Sequence, residues 1–108
     1  MMKKIKNMIR QGDVLLIPVN SIPQEAINLP TPKKITLAEG EASGHSHTIT
    51  APKNRIRQFA KNSELYLEVL EPVTLIHQEH APATINPGMY LVRRQMEFWL
   101  DEVRQVLD

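Results

Sequence analysis

Eight prolines punctuate this chain of 108 residues and limit it to short secondary-structure elements. They stand at positions 18, 23, 30, 32, 52, 72, 82 and 87. A proline inside a helix removes a backbone hydrogen bond and collides with the preceding turn, so few windows are long enough for a helix. The length suits one domain and leaves little room for a second core.

Seven segments between the prolines have the apolar or alternating pattern of short β-strands. They are residues 13–19, 33–39, 48–50, 55–59, 65–69, 73–76 and 89–98. A parallel sheet would require long helical crossovers, which these segments do not allow. The pattern therefore predicts an all-β fold, a small single-domain barrel or sandwich of about seven short strands.

Turn signals separate the predicted strands. Asn86-Pro87-Gly88-Met89 places Pro and Gly at the two central positions of a type II turn, which predicts a hairpin. Residues 20–32 have no clean period and predict a surface loop with at most one short helical turn.

The two ends of the chain differ from its strand-rich middle. Residues 1–10 are basic but lack the apolar stretch of a signal peptide, and they predict a flexible basic arm before a single β-rich domain at 11–108. Trp99, Val103 and Val106 have helical spacing. This spacing favours a short C-terminal helix, with a short strand as the alternative.

Composition excludes several kinds of site. The chain has no cysteine, so it has no disulfide framework, thiolate metal site or cysteine nucleophile. Its formal charge of +1 is too small for broad attraction to nucleic acid or membrane. No segment approaches the roughly 18 apolar residues of a membrane-spanning helix. We expect a soluble cytoplasmic protein with no membrane partner.

All four histidines fall in two tight pairs, His45-Ser46-His47 and His77-Gln78-Glu79-His80. Residues two apart on a strand share a face, so His45 and His47 can present two imidazoles to one metal. His77 and His80 would point to opposite faces of a regular strand. They therefore require the strand to end or bulge near Gln78, which the nearby Pro82 favours.

The two pairs predict a shared metal site if their segments meet. The ligands would be His45, His47, His77 and His80, with Glu79 or Glu41 nearby, and the set suits Zn, Ni, Fe, Mn or Cu. Three ligands and an open position would be catalytic, and metal-assisted hydrolysis of a small substrate is the reaction class to test first. Four closed ligands would be structural.

Two readings without metal stay open for the histidines. They can be ordinary polar loop residues that hydrogen-bond at strand ends. They can also act as general acid and base on a phosphodiester held by Arg55, Arg57, Arg93 or Arg94.

The segment from Arg93 to Trp99 interleaves cations and aromatics, as single-stranded nucleic-acid platforms do. Its arginines can equally be solvated, and Phe98 and Trp99 can belong to the core. The segment supports a rival function, a non-catalytic homo-oligomeric interaction module, with RNA as a candidate partner. That rival predicts that the two histidine pairs lie apart and that the basic residues cluster on one face.

The His45-x-His47 pair and the later Pro87-Gly88 turn in a short all-β chain resemble the cupin superfamily. The resemblance implies a small β-barrel that holds a metal ion. The Glu after the first cupin motif and the His after the second have no counterpart here, so His77 and His80 would replace them.

The chain is also similar to a group of small uncharacterised bacterial proteins, which implies one domain and no particular activity. The shared elements are Gln11-Gly12-Asp13, Gly44-His45-x-His47, His77-x-Glu79-His80 and Pro87-Gly88-x-Tyr90-x-Val92.

Overall fold

The computed structural model describes residues 7–39, 45–50 and 54–94, except for the side chain of residue 39. These residues form ten β-strands and no helix, which confirms the all-β prediction. The strands are β1 (Ile9–Gln11), β2 (Val14–Val19), β3 (Ile27–Leu29), β4 (Lys34–Glu39), β5 (Ser46–Thr50), β6 (Ile56–Lys61), β7 (Glu64–Val69), β8 (Val73–Ile76), β9 (Ala83–Ile85) and β10 (Gly88–Arg94). The predicted C-terminal helix, Phe98, Trp99 and Glu41 lie outside the described residues.

The strands form two antiparallel sheets that pack as a sandwich rather than a closed barrel. The six-stranded sheet has the order β1-β2-β10-β7-β6-β3, and the four-stranded sheet has the order β4-β5-β8-β9. One apolar cluster joins inward side chains of both sheets, and fully buried Leu16, Leu67, Ile49 and Leu75 are among them. Because side chains alternate along each strand, each sheet contributes every second residue to this core.

The prediction of about seven strands missed β1, β3 and β9, each of three residues. These strands are too short for a visible alternation, and they form because neighbouring strands offer them hydrogen-bond partners. β3 corrects the predicted loop at 20–32, since Ile27–Leu29 pairs with β6. β1 likewise corrects the boundary of the predicted arm, since Ile9 and Arg10 pair with β2.

The predicted hairpin at Pro87-Gly88 is wrong. β9 pairs with β8 in the four-stranded sheet, whereas β10 pairs with β2 and β7 in the other sheet. Gly88 has a φ of 156°, far from the roughly 80° of a type II turn. The Pro-Gly pair therefore carries the chain from one sheet to the other, because β10 uses both of its edges, on β2 and β7, and has none left for β9.

Alternation also places polar residues at one end of the core. Residues two apart share a face, so Gln11 continues the inward row that begins with Ile9, and His47 continues the row that contains Ile49. His77 follows two residues after Leu75, the last inward residue of β8. The three polar side chains thus meet where the apolar core ends.

No helix within the described ranges is long and apolar enough to cross a membrane.

Candidate functional site

The four histidines, called here the histidine cluster, come from the start of β5 and from the loop between β8 and β9. The ring of His47 lies 4.3 Å from that of His77 and 6.0 Å from that of His80, between centroids. The ring of His77 lies 4.6 Å from that of His80 and 5.5 Å from that of His45. The fold therefore brings the two sequence pairs together.

Local structure explains how the histidines reach this position. β8 ends at Ile76, so His77 and His80 lie in a loop before Pro82, as their spacing required. On the other side, the register between β4 and β5 shifts between Thr36 and Ala38, which is paired with His47. Such a bulge locally re-aims the strand it belongs to and is common beside functional sites.

Two side-chain hydrogen bonds hold the β8–β9 loop in place. Gln78 Oε1 accepts a bond of 2.9 Å from the backbone N–H of Ser46, next to His47. Gln11 Nε2 donates to the carbonyl oxygens of Leu75 at 2.8 Å and Ala81 at 3.0 Å, one on each side of the loop. The loop is thus attached to both β1 and β5.

The buried amide of Gln11 also determines which nitrogen of His47 carries a proton. Both N–H groups of Gln11 are used on backbone carbonyls, so its Oε1 is the atom that faces Nδ1 of His47 at 2.9 Å. An amide oxygen only accepts hydrogen bonds. Nδ1 of His47 is therefore the protonated nitrogen, and in the neutral ring Nε2 carries a lone pair.

Asp13 faces that second nitrogen. Its Oδ1 lies 3.1 Å from Nε2 of His47, and its Oδ2 accepts a hydrogen bond of 2.8 Å from Nε of Arg94. His47 is only 5% exposed, whereas the Asp13 side chain is 40% exposed. Asp13 thus connects a buried imidazole to the protein surface.

The pKa values of His47 and Asp13 are both lowered, but by different effects. Burial of His47 lowers its pKa below 6.5, and the charge of His77 lowers it further against the opposing effect of Asp13. Partial burial alone would raise the pKa of Asp13, but the hydrogen bond and charge of Arg94 outweigh this and hold it below 3.8. At neutral pH, Asp13 is therefore ionised and His47 is predominantly neutral.

The other histidines have different partners. Nδ1 of His45 lies 2.5 Å from Oε1 of Glu79, whose side chain is 64% exposed. Nδ1 of His77 accepts a hydrogen bond of 3.0 Å from the backbone N–H of Glu79. An accepting Nδ1 requires the proton of a neutral ring to be on Nε2, so His77 in this orientation offers no free lone pair.

Gly12 lets the turn between β1 and β2 approach the imidazoles. It has a φ of 58°, and a Cβ added there would lie 2.7 Å from Nε2 of His80 and 3.1 Å from Cε1 of His47. Both the backbone conformation and the space thus favour glycine. The exposed His80 packs directly against this turn.

The four imidazole rings contact one another through their faces and edges, and their nitrogen atoms are not directed at one common point. Among the residues that the structure describes, no group of three or more His, Asp and Glu side chains is arranged so that it can hold a metal ion. The hydrogen bond at Nδ1 of His77 and the pairing of His45 with Glu79 direct their nitrogens elsewhere. Metal binding would therefore require side-chain rotation.

Comparison with protein families gives a match over most of the chain. A family described as a domain of unknown function, DUF8820, matches residues 10–95. The chain belongs to this family. No curated protein and no solved structure matches the chain. The matched region of DUF8820 includes Gln11, Asp13, the histidine cluster and Arg94.

The four arginines predicted to contact anions each face a carboxylate. Such pairs leave little uncompensated positive charge on the arginines. The structure therefore gives no support to an anion-binding surface among these residues. Their contact with nucleic acid stays a prediction. The pairs and their N–O distances are Arg55–Glu71 at 3.8 Å, Arg57–Glu68 at 3.4 Å, Arg93–Glu64 at 2.7 Å and Arg94–Asp13 at 2.8 Å.

A cleft of about 290 Å³ opens away from the histidines. Asn7, Thr84, Asn86 and Tyr90 are among its lining residues, and Tyr90 donates a hydrogen bond of 2.7 Å to the carbonyl of Asn86. None of the predicted metal ligands lines it. The cleft therefore has no part in the histidine chemistry.

Three residues of the site carry no ligand motif in the sequence. Gln11, Gly12 and Asp13 contact the histidines only because β1 and β2 pack beside β5 and the β8–β9 loop. Their one visible signal is a Gln-Gly-Asp sequence directly before a buried strand. Polar residues around a glycine turn are common, so this signal assigns no role by itself.

Proposed function

We propose that this protein binds one divalent transition metal ion at the histidine cluster, with His45, His47, His77 and His80 as candidate ligands and Glu79 as an additional or supporting group. The observation that carries the proposal is the convergence of two histidine pairs separated by about thirty residues in the sequence. The rival interaction module predicts that these pairs lie apart.

The spacing of the rings supports a common ion. Two imidazoles bound through Nε2 at about 2.1 Å have centroids roughly 4.6 to 5.3 Å apart, for ligand angles between about 90° and 109°. The four centroid distances, 4.3, 4.6, 5.5 and 6.0 Å, bracket this range. Rotations of the side chains, rather than movements of the strands, therefore suffice.

The tautomer of His47 also supports the proposal of a metal site. Metal-binding histidines usually donate the proton of their other ring nitrogen to a neighbouring acceptor, which fixes the tautomer and orients the ring. Gln11 provides that acceptor for His47. His47 is thus prepared to bind a metal through Nε2.

The remaining histidines have the freedom to complete the site. His80 is exposed, and the side chain of His45 is 30% exposed. His77 would exchange its bond from the backbone of Glu79 for a metal bond. These rearrangements involve exposed or half-buried groups, so their cost is small beside the bonds gained from imidazole to a transition metal.

A mixed set of imidazole and carboxylate donors suits Zn, Ni, Fe or Mn. An open coordination position would acidify bound water and polarise a carbonyl or phosphoryl oxygen. Metal-assisted hydrolysis of a small molecule is thus the reaction class to test once a metal is found. Hydrolase activity, homo-oligomer formation and a cytoplasmic location remain predictions.

The test is the metal content of untagged protein by elemental mass spectrometry, together with thermal unfolding in the presence of Zn²⁺, Ni²⁺, Mn²⁺ and anaerobic Fe²⁺. The double variant His45→Ala, His77→Ala removes two exposed or half-buried candidates without opening the core. The control is Arg57→Ala, which removes an ion pair on β6 outside the histidine cluster.

About one metal per chain in the wild type and in Arg57→Ala, and less in the double variant, is the expected result. A rise in the unfolding temperature with the same metal would agree, because a ligand that binds only the folded state stabilises it. No bound metal and no stabilisation by any of the four ions would contradict the proposal.

A further inference from the structure

We infer that Asp13 is a metal ligand and that it binds the same ion as Nε2 of His47, as its neighbour in the coordination shell. This inference rests on the proposed function and names a ligand that the histidine motifs do not contain. It makes the site a mixed nitrogen and oxygen site rather than an all-histidine one.

The first step is the direction of the His47 lone pair. Gln11 uses both of its N–H groups on the carbonyls of Leu75 and Ala81, and its Oε1 accepts from Nδ1 of His47. Nε2 of the neutral ring is therefore an acceptor, and it lies beside Oδ1 of Asp13. Two acceptors this close repel each other, so the arrangement favours a proton on the ring or a cation that both atoms bind side by side.

The second step is the distance between these two atoms. Two ligand atoms about 2.1 Å from one metal are roughly 3.0 Å apart at about 90° and roughly 3.4 Å apart in a tetrahedron. Nε2 of His47 and Oδ1 of Asp13 are 3.1 Å apart. The pair thus already has the spacing of neighbouring ligands, with no change of rotamer.

The third step is the support of the carboxylate. Arg94 donates to Oδ2 of Asp13 at 2.8 Å, which orients the group and leaves Oδ1 directed at His47. Ligating carboxylates are usually held by such hydrogen bonds. Glu79, the carboxylate that the sequence predicted, is instead 64% exposed and paired with His45.

The fourth step is access to the ion. His47 is buried, but Asp13 is 40% exposed and lies beside Gly12, against which the exposed His80 packs. An ion can therefore reach the pair from the side of Asp13. His80 is then a second histidine beside the turn that carries this ligand.

The experiment compares Co²⁺ binding by the wild type, Asp13→Asn and Glu68→Gln, where Glu68 pairs with Arg57 outside the histidine cluster. Both variants exchange a carboxylate for its amide, so they match in size and charge change. Isothermal titration gives the affinity, and the visible absorption of Co²⁺ at saturation reports its ligands. Urea unfolding of each metal-free variant shows that it is folded.

We expect Asp13→Asn to weaken Co²⁺ binding by about 100-fold or more, since even loss of a group that only supports a ligand costs about 10- to 100-fold. Its absorption at saturation should also change, whereas Glu68→Gln should keep the wild-type spectrum. An unchanged spectrum in Asp13→Asn would overturn the ligand assignment, whatever the affinity.

The two proposals fail in different ways. If the wild type binds no Co²⁺, the metal site itself is wrong and the assignment of Asp13 is wrong with it. If the wild type binds Co²⁺ and Asp13→Asn binds it equally well, only the assignment of Asp13 is wrong.

Discussion

Nε2 of His47 lies 3.1 Å from Oδ1 of Asp13, and Nδ1 on the opposite side of the same ring lies 2.9 Å from Oε1 of Gln11. The imidazole is therefore held between an amide on β1 and a carboxylate in the turn that follows it. This arrangement joins β5 to the β1–β2 hairpin at the end of the core.

Replacing Gln11 with Leu should lower the free energy of unfolding by about 1–3 kcal/mol or more. The substitution leaves the carbonyls of Leu75 and Ala81 and Nδ1 of His47 without their partner, and a buried unsatisfied polar group costs about that much. Urea unfolding of metal-free protein measures the loss.

Gln58→Leu is the matched control for this change. Gln58 is half-buried, and its side chain donates to the carbonyl of Pro30. Because solvent can replace that bond, we expect a change within about 0.5 kcal/mol. Equal losses in the two variants would show that the amide of Gln11 has no special structural role.

Gly12→Ala should lower the free energy of unfolding by about 1–2 kcal/mol, because position 12 has a left-handed backbone conformation that alanine adopts at a cost. The added Cβ should also displace the ring of His80. The comparison is Asn62→Ala in the β6–β7 turn, where φ is 55°. Urea unfolding gives the two losses, and the proton NMR signals of His80 report the displacement. Unchanged His80 signals in Gly12→Ala would contradict the predicted contact.

Acidification should reduce stability below about pH 6.5, because burial lowers the pKa of His47 from its ordinary value of 6.5. The unfolded chain then binds a proton that folded His47 does not, so the free energy of unfolding falls as pH falls. Urea unfolding between pH 8 and pH 5 with chelator tests this. The prediction fails if NMR shows that His47 titrates at or above 6.5.

Arg94→Met should raise the pKa of Asp13, because the guanidinium supplies the main effects that keep it low while partial burial acts in the opposite direction. The carboxyl ¹³C signal of Asp13, followed over an acid titration, measures the change. Arg57→Met, which removes an ion pair with Glu68 on β6, should leave that titration unchanged. Identical Asp13 titrations in all three proteins would show that Arg94 does not lower the pKa of Asp13.

The sequence predicted the longer strands because their alternation depends only on neighbouring residues. The predicted strand at 13–19 contains Pro18, a residue that suits a strand edge or a bulge. In the structure β1 pairs with β2 only from Val14 to Leu16, so Pro18 has the described partner β10 on one side alone. The missing N–H of proline is tolerated there.

The sequence alone determined an all-β chain without cysteine whose histidines occur in two pairs, one of them in a position where a strand must end. Only the tertiary structure decided that the pairs meet and that Pro87-Gly88 links two sheets. It also decided that Gln11 and Asp13 hold His47. The side-chain contacts join residues thirty or more positions apart, and long-range sheet pairing depends on the packing of the whole core rather than on any local pattern.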